Sequence, residues 1–480
     1  MNLGIRVPAL GLCAALLAVS CGTESAAPAT SLPPQTSDAP VATSLPPPES
    51  SSPVETSDPV DTEPPATTPP ETTPPTTPLP SFSEPSQRLF DQAVLHEVDI
   101  EISDESVALL DPPTDDRVPV RLTVDGTTAD DAGLRLKQGW GQSQPFDKKP
   151  GFSIETDEFV DDLTLFDVDR FTLGNATWDH SFVNEPLVYS VYEAAGIPAP
   201  RTALARVTVN GETFGIYVMR ETYKDRMLAQ HFADPTGNLY ELAGLPEDPN
   251  MGLELRTNKD EGDTSDLAAV FEVVETASDE EYRAAIEELV DVDQLMTYWA
   301  IEALVGHHDG YAYDLGVPGL FPDAVHPPNI PLSIPNNYYM YHDPTSDRFV
   351  FLPHGPDIAL GMGAWSTYEV GPWAPVLLEP KEAAIIASRL WDDPTFRDDF
   401  AERVGWVLDE VWDAPALIAQ ADRLAELIRA DGLTGSREFV TMAEFEQSLA
   451  DRKDFVTRRA EEVRAQLAAW ESGDGAGEEP

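Results

Sequence analysis

The sequence predicts an α+β protein whose β-rich first half is followed by a mostly helical second half. Three observations carry that reading. From Val94 to about Tyr217 apolar residues alternate, as in Val98-Asp99-Ile100-Glu101-Ile102 and Ala205-Arg206-Val207-Thr208-Val209, which is the period of a half-buried strand. Two such runs end in Asp125-Gly126 and Asn210-Gly211, pairs that accept the positive φ angles of tight hairpin turns. After Ser278 the spacing changes to that of amphipathic helices over Asp279–Leu289, Asp293–Val305 and Ala383–Leu390, with four or more further helices between Pro394 and Trp470.

Taken in chain order, residues 1–21 read as a signal peptide. One basic residue, Arg6, precedes an apolar stretch from Val7 to Val19, which is too short to span a bilayer at about 20 residues. The stretch ends in Leu17-Ala18-Val19-Ser20-Cys21, which resembles the bacterial lipobox, so Cys21 is the expected site of lipidation. Residues 22–85 hold 18 of the 45 prolines and no Lys or Arg. Such a segment has too little apolar surface to offset the entropy of ordering, and its proline content keeps it extended. It is expected to be a disordered stalk. Residues 86–277 form the β-rich half, interrupted by one helix over Phe182–Ala195 that stops at Gly196. Residues 278–472 form the helical half, and 473–480 an acidic tail.

Charge and cysteine usage exclude whole classes of function. Thirty basic residues stand against 85 acidic ones, a net charge of −55. Nucleic-acid affinity comes from lysine and arginine releasing phosphate counterions, so DNA and RNA are excluded as partners. The only cysteines are Cys13 and Cys21, which leaves the rest of the chain without a disulfide framework or a thiolate zinc site.

Three clusters carry candidate chemistry. Leu134-Arg135-Leu136-Lys137-Gln138-Gly139 and Asp147-Lys148-Lys149-Pro150-Gly151-Phe152 place four of the scarce basic residues in one expected hairpin, an arrangement suited to an anion such as phosphate. The strand after Asn210-Gly211 ends in Arg220-Glu221, with Glu221 within reach of a lysine on a neighbouring strand. The third cluster runs through His307-His308-Asp309-Gly310-Tyr311, Asn336-Asn337-Tyr338-Tyr339 and Pro353-His354-Gly355-Pro356-Asp357. Two carboxylates and an amide in such loops match the needs of magnesium-assisted phosphoryl transfer, where one acid takes the attacking proton and the others hold hard cations.

These segments, taken in order with LGNATWDHSFVNEPLVYSVYEAAGIPAPR, ARVTVNGETFGIYVMRET and PTGNLYE, resemble the CotH kinase family of spore-coat-type proteins. The resemblance runs from about Val94 to the C-terminal helices and implies an atypical protein-kinase-like fold with a β-rich N-terminal lobe and a mostly helical C-terminal lobe. It also implies ATP and Mg2+ or Mn2+ as cofactors. Carried over by motif, Lys149 would steady the nucleotide phosphates with Arg135 and Lys148 as helpers, and Glu221 would orient that lysine or a metal. Asp309 would be the catalytic base, while Asn337 and Asp357 would be metal ligands. Many members carry P-W-D-x-D where this chain has Pro353-His354-Gly355-Pro356-Asp357, so glycine stands in place of the first metal-binding acid.

The expected function is transfer of the γ-phosphoryl group of ATP to Ser or Thr hydroxyls of extracytoplasmic proteins, by a monomer held at the membrane through its lipid alone. The alternative is a catalytically inactive envelope lipoprotein that uses the same scaffold for binding, a reading that Gly355 favours. A zinc hydrolase built on His307, His308, Asp309 and His354 is the weakest reading, since the eight histidines show no H-E-x-x-H spacing.

Overall fold

A computed structural model describes residues 82–138, 143–242, 252–307, 309–312, 335–361, 379–380 and 384–471. These residues fall within one compact unit. The signal peptide, Cys21, nearly all of the expected stalk, His308 and the acidic tail lie outside the described residues.

The first half begins with α1 (Glu84–Leu89), β1 (Leu95–Glu101), α2 (Asp104–Leu109), β2 (Val118–Val124), β3 (Thr127–Leu136), β4 (Phe152–Glu155) and β5 (Arg170–Gly174). It continues through α3 (Asn184–Ala194), β6 (Thr202–Val209) and β7 (Glu212–Glu221). The seven strands close a barrel in the order β1-β2-β3-β4-β5-β7-β6, and a parallel β1–β6 pairing seals it. Both expected hairpins are present. Asp125 and Gly126 have φ angles of 48° and 79° between β2 and β3, and Asn210 and Gly211 have 48° and 81° between β6 and β7, so both turn residues are left-handed and the turn twist matches that of the strands. Alternating residues such as Leu122, Leu134, Ile154, Phe171 and Tyr217 fill the barrel interior. The opposite set of the same strands faces outward, and this parity decides which charged residues reach the site.

The remainder comprises α4 (Asp225–His231), β8 (Leu239–Leu242), β9 (Leu253–Leu255), α5 (Ser265–Thr276), α6 (Asp279–Glu287), α7 (Val292–Val305), β10 (Tyr338–Asp343) and β11 (Arg348–Pro353). It ends with α8 (Ile385–Trp391), α9 (Pro394–Trp406), a π-helical turn at Val407–Val411, α10 (Ala414–Asp431) and α11 (Met442–Glu471). β8–β11 form a four-stranded sheet in the order β11-β10-β8-β9, so strands on either side of residue 277 pair in one sheet. Helix α7 is the centre of the second core. Twelve of its residues are buried, as expected of a helix that is apolar nearly all round, and Trp299 packs on Trp391, Phe396 and Phe400. The architecture is thus α+β, with a closed barrel the strand pattern alone did not specify.

Candidate active site

Outward-facing positions of four adjacent barrel strands build one wall of a cavity of about 1690 Å3. Register places Arg135, Ser153, Thr172 and Arg220 in one row across β3, β4, β5 and β7, and all four line the cavity. One step along β3 direction, two glycines keep the wall low. A Cβ on Gly151 would lie 3.2 Å from the Lys137 side chain, and one on Gly174 would lie 3.7 Å from Glu185 Oε2. Lys137 and Glu185 therefore rest on a glycine floor. Glu185, in the first turn of α3, accepts from the Arg220 guanidinium at 2.6 Å.

The opposite wall comes from loops and short strands of the second half, with Asp309, Asn336, Asn337, Tyr339, His354, Gly355 and Asp357 lining it. Asp309 accepts from Asn336 Nδ2 through one carboxylate oxygen and from Asn337 Nδ2 through the other, each at 2.8 Å. Asn337 adopts a left-handed φ of 47°, a conformation asparagine tolerates better than most residues. Since its amide nitrogen faces Asp309, its Oδ1 turns toward Gly355, where a Cβ would approach to 2.8 Å. Gly355 itself has φ of 51° and donates its N–H to the Tyr189 hydroxyl at 3.2 Å. The Asp357 segment is tied to α3 by Asn184, whose amide donates to the carbonyls of Asp357 and Ala359 at 2.9 and 3.1 Å.

The electrostatics of this cavity are those of buried, opposed charges. Burial, and next the Arg220 guanidinium, push the Lys137 ammonium below the usual lysine range, while Glu185, Asp357 and Glu241 act in the other direction. Burial, Glu185 and Asp309 push the Asp357 carboxyl up to about 7 against the pull of Lys137 and Arg220. Crowded carboxylates of this kind leave room for a cation, and Asp357 with Asn337 Oδ1 offers hard oxygen donors of the type that Mg2+ and Mn2+ take. Among the described residues no three His, Cys, Asp or Glu groups converge on a metal position. The donor set suits a cation completed by phosphate oxygens and water rather than one caged by protein.

Of the residues expected from sequence, the structure brings Arg135, Asp309, Asn337 and Asp357 into this cavity and places Lys148, Lys149 and Glu221 elsewhere. Lys149 was expected beside the phosphates. Its ammonium instead donates to both carboxylate oxygens of Glu438, at 2.8 and 2.7 Å, inside a ring of Phe182, Tyr217 and Phe439 with centroids 5.1–5.4 Å away. It lines a separate cavity of about 600 Å3 together with exposed Lys148. Glu221 was expected to orient a lysine or metal, but it forms a two-point ion pair with Arg201 at 2.8 and 2.6 Å. Strand parity explains the substitution: Arg220 and Glu221 are neighbours on β7 and face opposite sides, so the cation reaches the cavity and the acid does not. Sequence reasoning counted Lys137 in the basic anion-binding cluster without giving it a role of its own, and it missed Glu185 and Arg220 as site residues. For Lys137 a signal was available, because it follows Arg135 by two positions and so shares its face.

Together the fold and the cavity define a class: an α+β protein that sets cations and hydroxyls of a barrel wall against acids and amides of a second layer. The family model for CotH kinase protein matches residues 138–463, more than half of the 480-residue chain, and the chain belongs to that family. No curated protein matches it.

Proposed function

We propose that this chain is an atypical kinase that transfers the γ-phosphoryl group of ATP to Ser or Thr hydroxyls of extracytoplasmic proteins. The observation that supports it is the convergence of Lys137, Arg220, Asp309, Asn337 and Asp357 on one cavity in a member of the CotH kinase family. Lys137 and Arg220 supply positive charge for the triphosphate, and Glu185 fixes the direction of Arg220 through their ion pair. Asp309 accepts the proton of the acceptor hydroxyl as its oxygen attacks the γ-phosphorus, the bridging β–γ P–O bond breaks, and ADP departs. Asn337 and Asp357 would hold Mg2+ or Mn2+, which when bound neutralises charge on the phosphate oxygens. By the same reading Cys21 carries the lipid, the stalk holds a monomeric folded domain away from the membrane, and no nucleic acid takes part.

The test is phosphate incorporation into a Ser/Thr-rich acceptor with Lys137→Ala, Asp309→Ala and Asp357→Ala. Loss in all three with Lys149→Met still active supports this assignment of roles; incorporation unaffected by the three refutes it. The binding-scaffold alternative is favoured by one observation, the glycine at 355 where many members carry an acid. If ATP with Mg2+ or Mn2+ fails to raise the melting temperature of the wild-type domain, that alternative takes its place.

A further inference from the structure

Helix α7 ends in a buried acid that helix physics alone would not put there. Glu302 is fully buried and sits in the last turn of α7, where the helix dipole disfavours negative charge. The His307 ring lies beside it, with Nδ1 3.8 Å from Oε1. Arg459, reaching in from α11, donates to the carbonyls of Leu304 and Ala303 at 2.9 and 2.7 Å and so caps the helix end beside it.

What Glu302 does accept is backbone from the loop that carries Asp309. Oε1 takes the N–H of Tyr311 at 2.7 Å and the Tyr298 hydroxyl at 3.0 Å, while Oε2 takes the N–H of Ala312 at 2.8 Å. The fit is close enough that a Cβ on Gly310 would fall 2.2 Å from Oε1, so residue 310 can only be glycine while Glu302 keeps this pose. From the other side, the Gly310 carbonyl accepts the Asn336 N–H at 3.1 Å. The loop is thus gripped between a carboxylate below and the Asn336-Asn337 pair above, with the Asp309 carboxylate held between the two asparagine amides.

We propose that Glu302 is a positioning residue for Asp309, fixing the 309–312 loop so that the Asp309 carboxylate stays in the cavity; its catalytic meaning rests on the kinase reading above. Two backbone donors on separate oxygens call for a carboxylate. A glutamine would turn an NH2 group toward one N–H and leave that donor unsatisfied.

The experiment combines Glu302→Gln and Glu302→Asp with Tyr298→Phe as a control, since that variant removes a donor outside the loop. Hydrogen exchange at Tyr311 and Ala312 is expected to rise about tenfold or more in Glu302→Gln, with α7 and the barrel unchanged and Tyr298→Phe like wild type. Glu302→Asp keeps the charge and both acceptors on a shorter stem and gives the same pattern at smaller amplitude, which keeps the test decisive if the glutamine variant does not fold. In steady-state assays Glu302→Gln is expected to lower kcat by about 10- to 100-fold with KM for ATP unchanged. Added to Asp309→Asn it is expected to have no further effect. Unchanged loop exchange in both variants overturns the proposal, as does a full multiplicative loss on top of Asp309→Asn. A wild-type protein that transfers no phosphate would end the kinase reading, and the exchange result would still decide whether Glu302 holds this loop.

Discussion

Single residues show how burial outweighs formal chemistry here. Lys149 has the sequence context of a phosphate ligand, yet it is 2% exposed and its carboxylate partner Glu438 is nearly as buried. Burial lowers the Lys149 pKa and Glu438 opposes that fall, so the pair survives by mutual satisfaction. Truncating one partner strands a buried charge, at a cost of about 3–5 kcal/mol, whereas removing both together costs less than the sum of the two single losses. Urea unfolding of Lys149→Met, Glu438→Gln and the double variant is expected to follow that order, and additive losses would contradict it. His231 offers a pH test of the same principle. Its Nε2 is buried without a hydrogen-bond partner, and burial together with Arg201 pushes the imidazole down to about 4 from 6.5. Between those values the unfolded chain binds a proton that the folded one refuses. The stabilising term is therefore complete above about pH 6.5 and is lost as pH falls toward 4, by up to about 3 kcal/mol. His231→Phe is expected to flatten the decline in melting temperature over that window relative to wild type.

At the scale of elements, the segment between α10 and α11 acts as a strap on the barrel. Ser436 and Arg437 donate their N–H groups to the carbonyls of Thr213 and Phe214 at 2.8 and 3.1 Å, and Arg437 lies over the Phe214 ring at 3.9 Å. Its guanidinium also donates to the carbonyls of Phe146 and Lys148, which holds the 143–149 loop leading to Gly151 beneath Lys137. The approach is possible because Gly435 meets Gly215, where a Cβ would come within 2.4 Å of backbone. Gly435→Ala is expected to lift the strap, lower the melting temperature by several degrees, and raise hydrogen exchange across 143–149. Strands, hairpins and the main helices were legible because period and turn chemistry are local: the helix expected over Phe182–Ala195 is α3 over Asn184–Ala194, and Gly196 ends it with φ of 78°. Closure of the barrel was not legible, since the β1–β6 pairing joins residues about a hundred apart. The same limit explains the site. Asp309, Asn337 and Asp357 announced themselves as loop acids and amide, whereas the choice between Lys137 and Lys149 depended on Glu438, 289 residues from Lys149.

For the whole molecule the governing quantity is a net charge of −55. Self-repulsion of that size means that screening by a simple salt such as NaCl stabilises the fold somewhat, so a divalent cation must be separated from general screening before it counts as bound. Asp357 supplies the separation. Its carboxyl, pushed up to about 7 from 3.8, is neutral in the folded protein over a range where it is ionised in the unfolded chain. Its contribution to stability is thus fully present below about pH 4 and lost as pH rises through 7. A cation held by Asp357 and Asn337 favours the ionised form and reverses that loss. In about 0.5 M NaCl, where long-range repulsion is screened, millimolar Mg2+ or Mn2+ with ATP is expected to raise the melting temperature more at pH 8 than at pH 6. Asp357→Asn is expected to remove both the pH slope and the cation response. Gly355→Asp, which restores the acid common in the family, is expected to lower the response as well, since its Cβ would crowd Asn337 Oδ1 at 2.8 Å from a left-handed backbone. A larger cation response in Gly355→Asp would show that this chain lacks only one ligand; a smaller one would show that its site is built around the glycine.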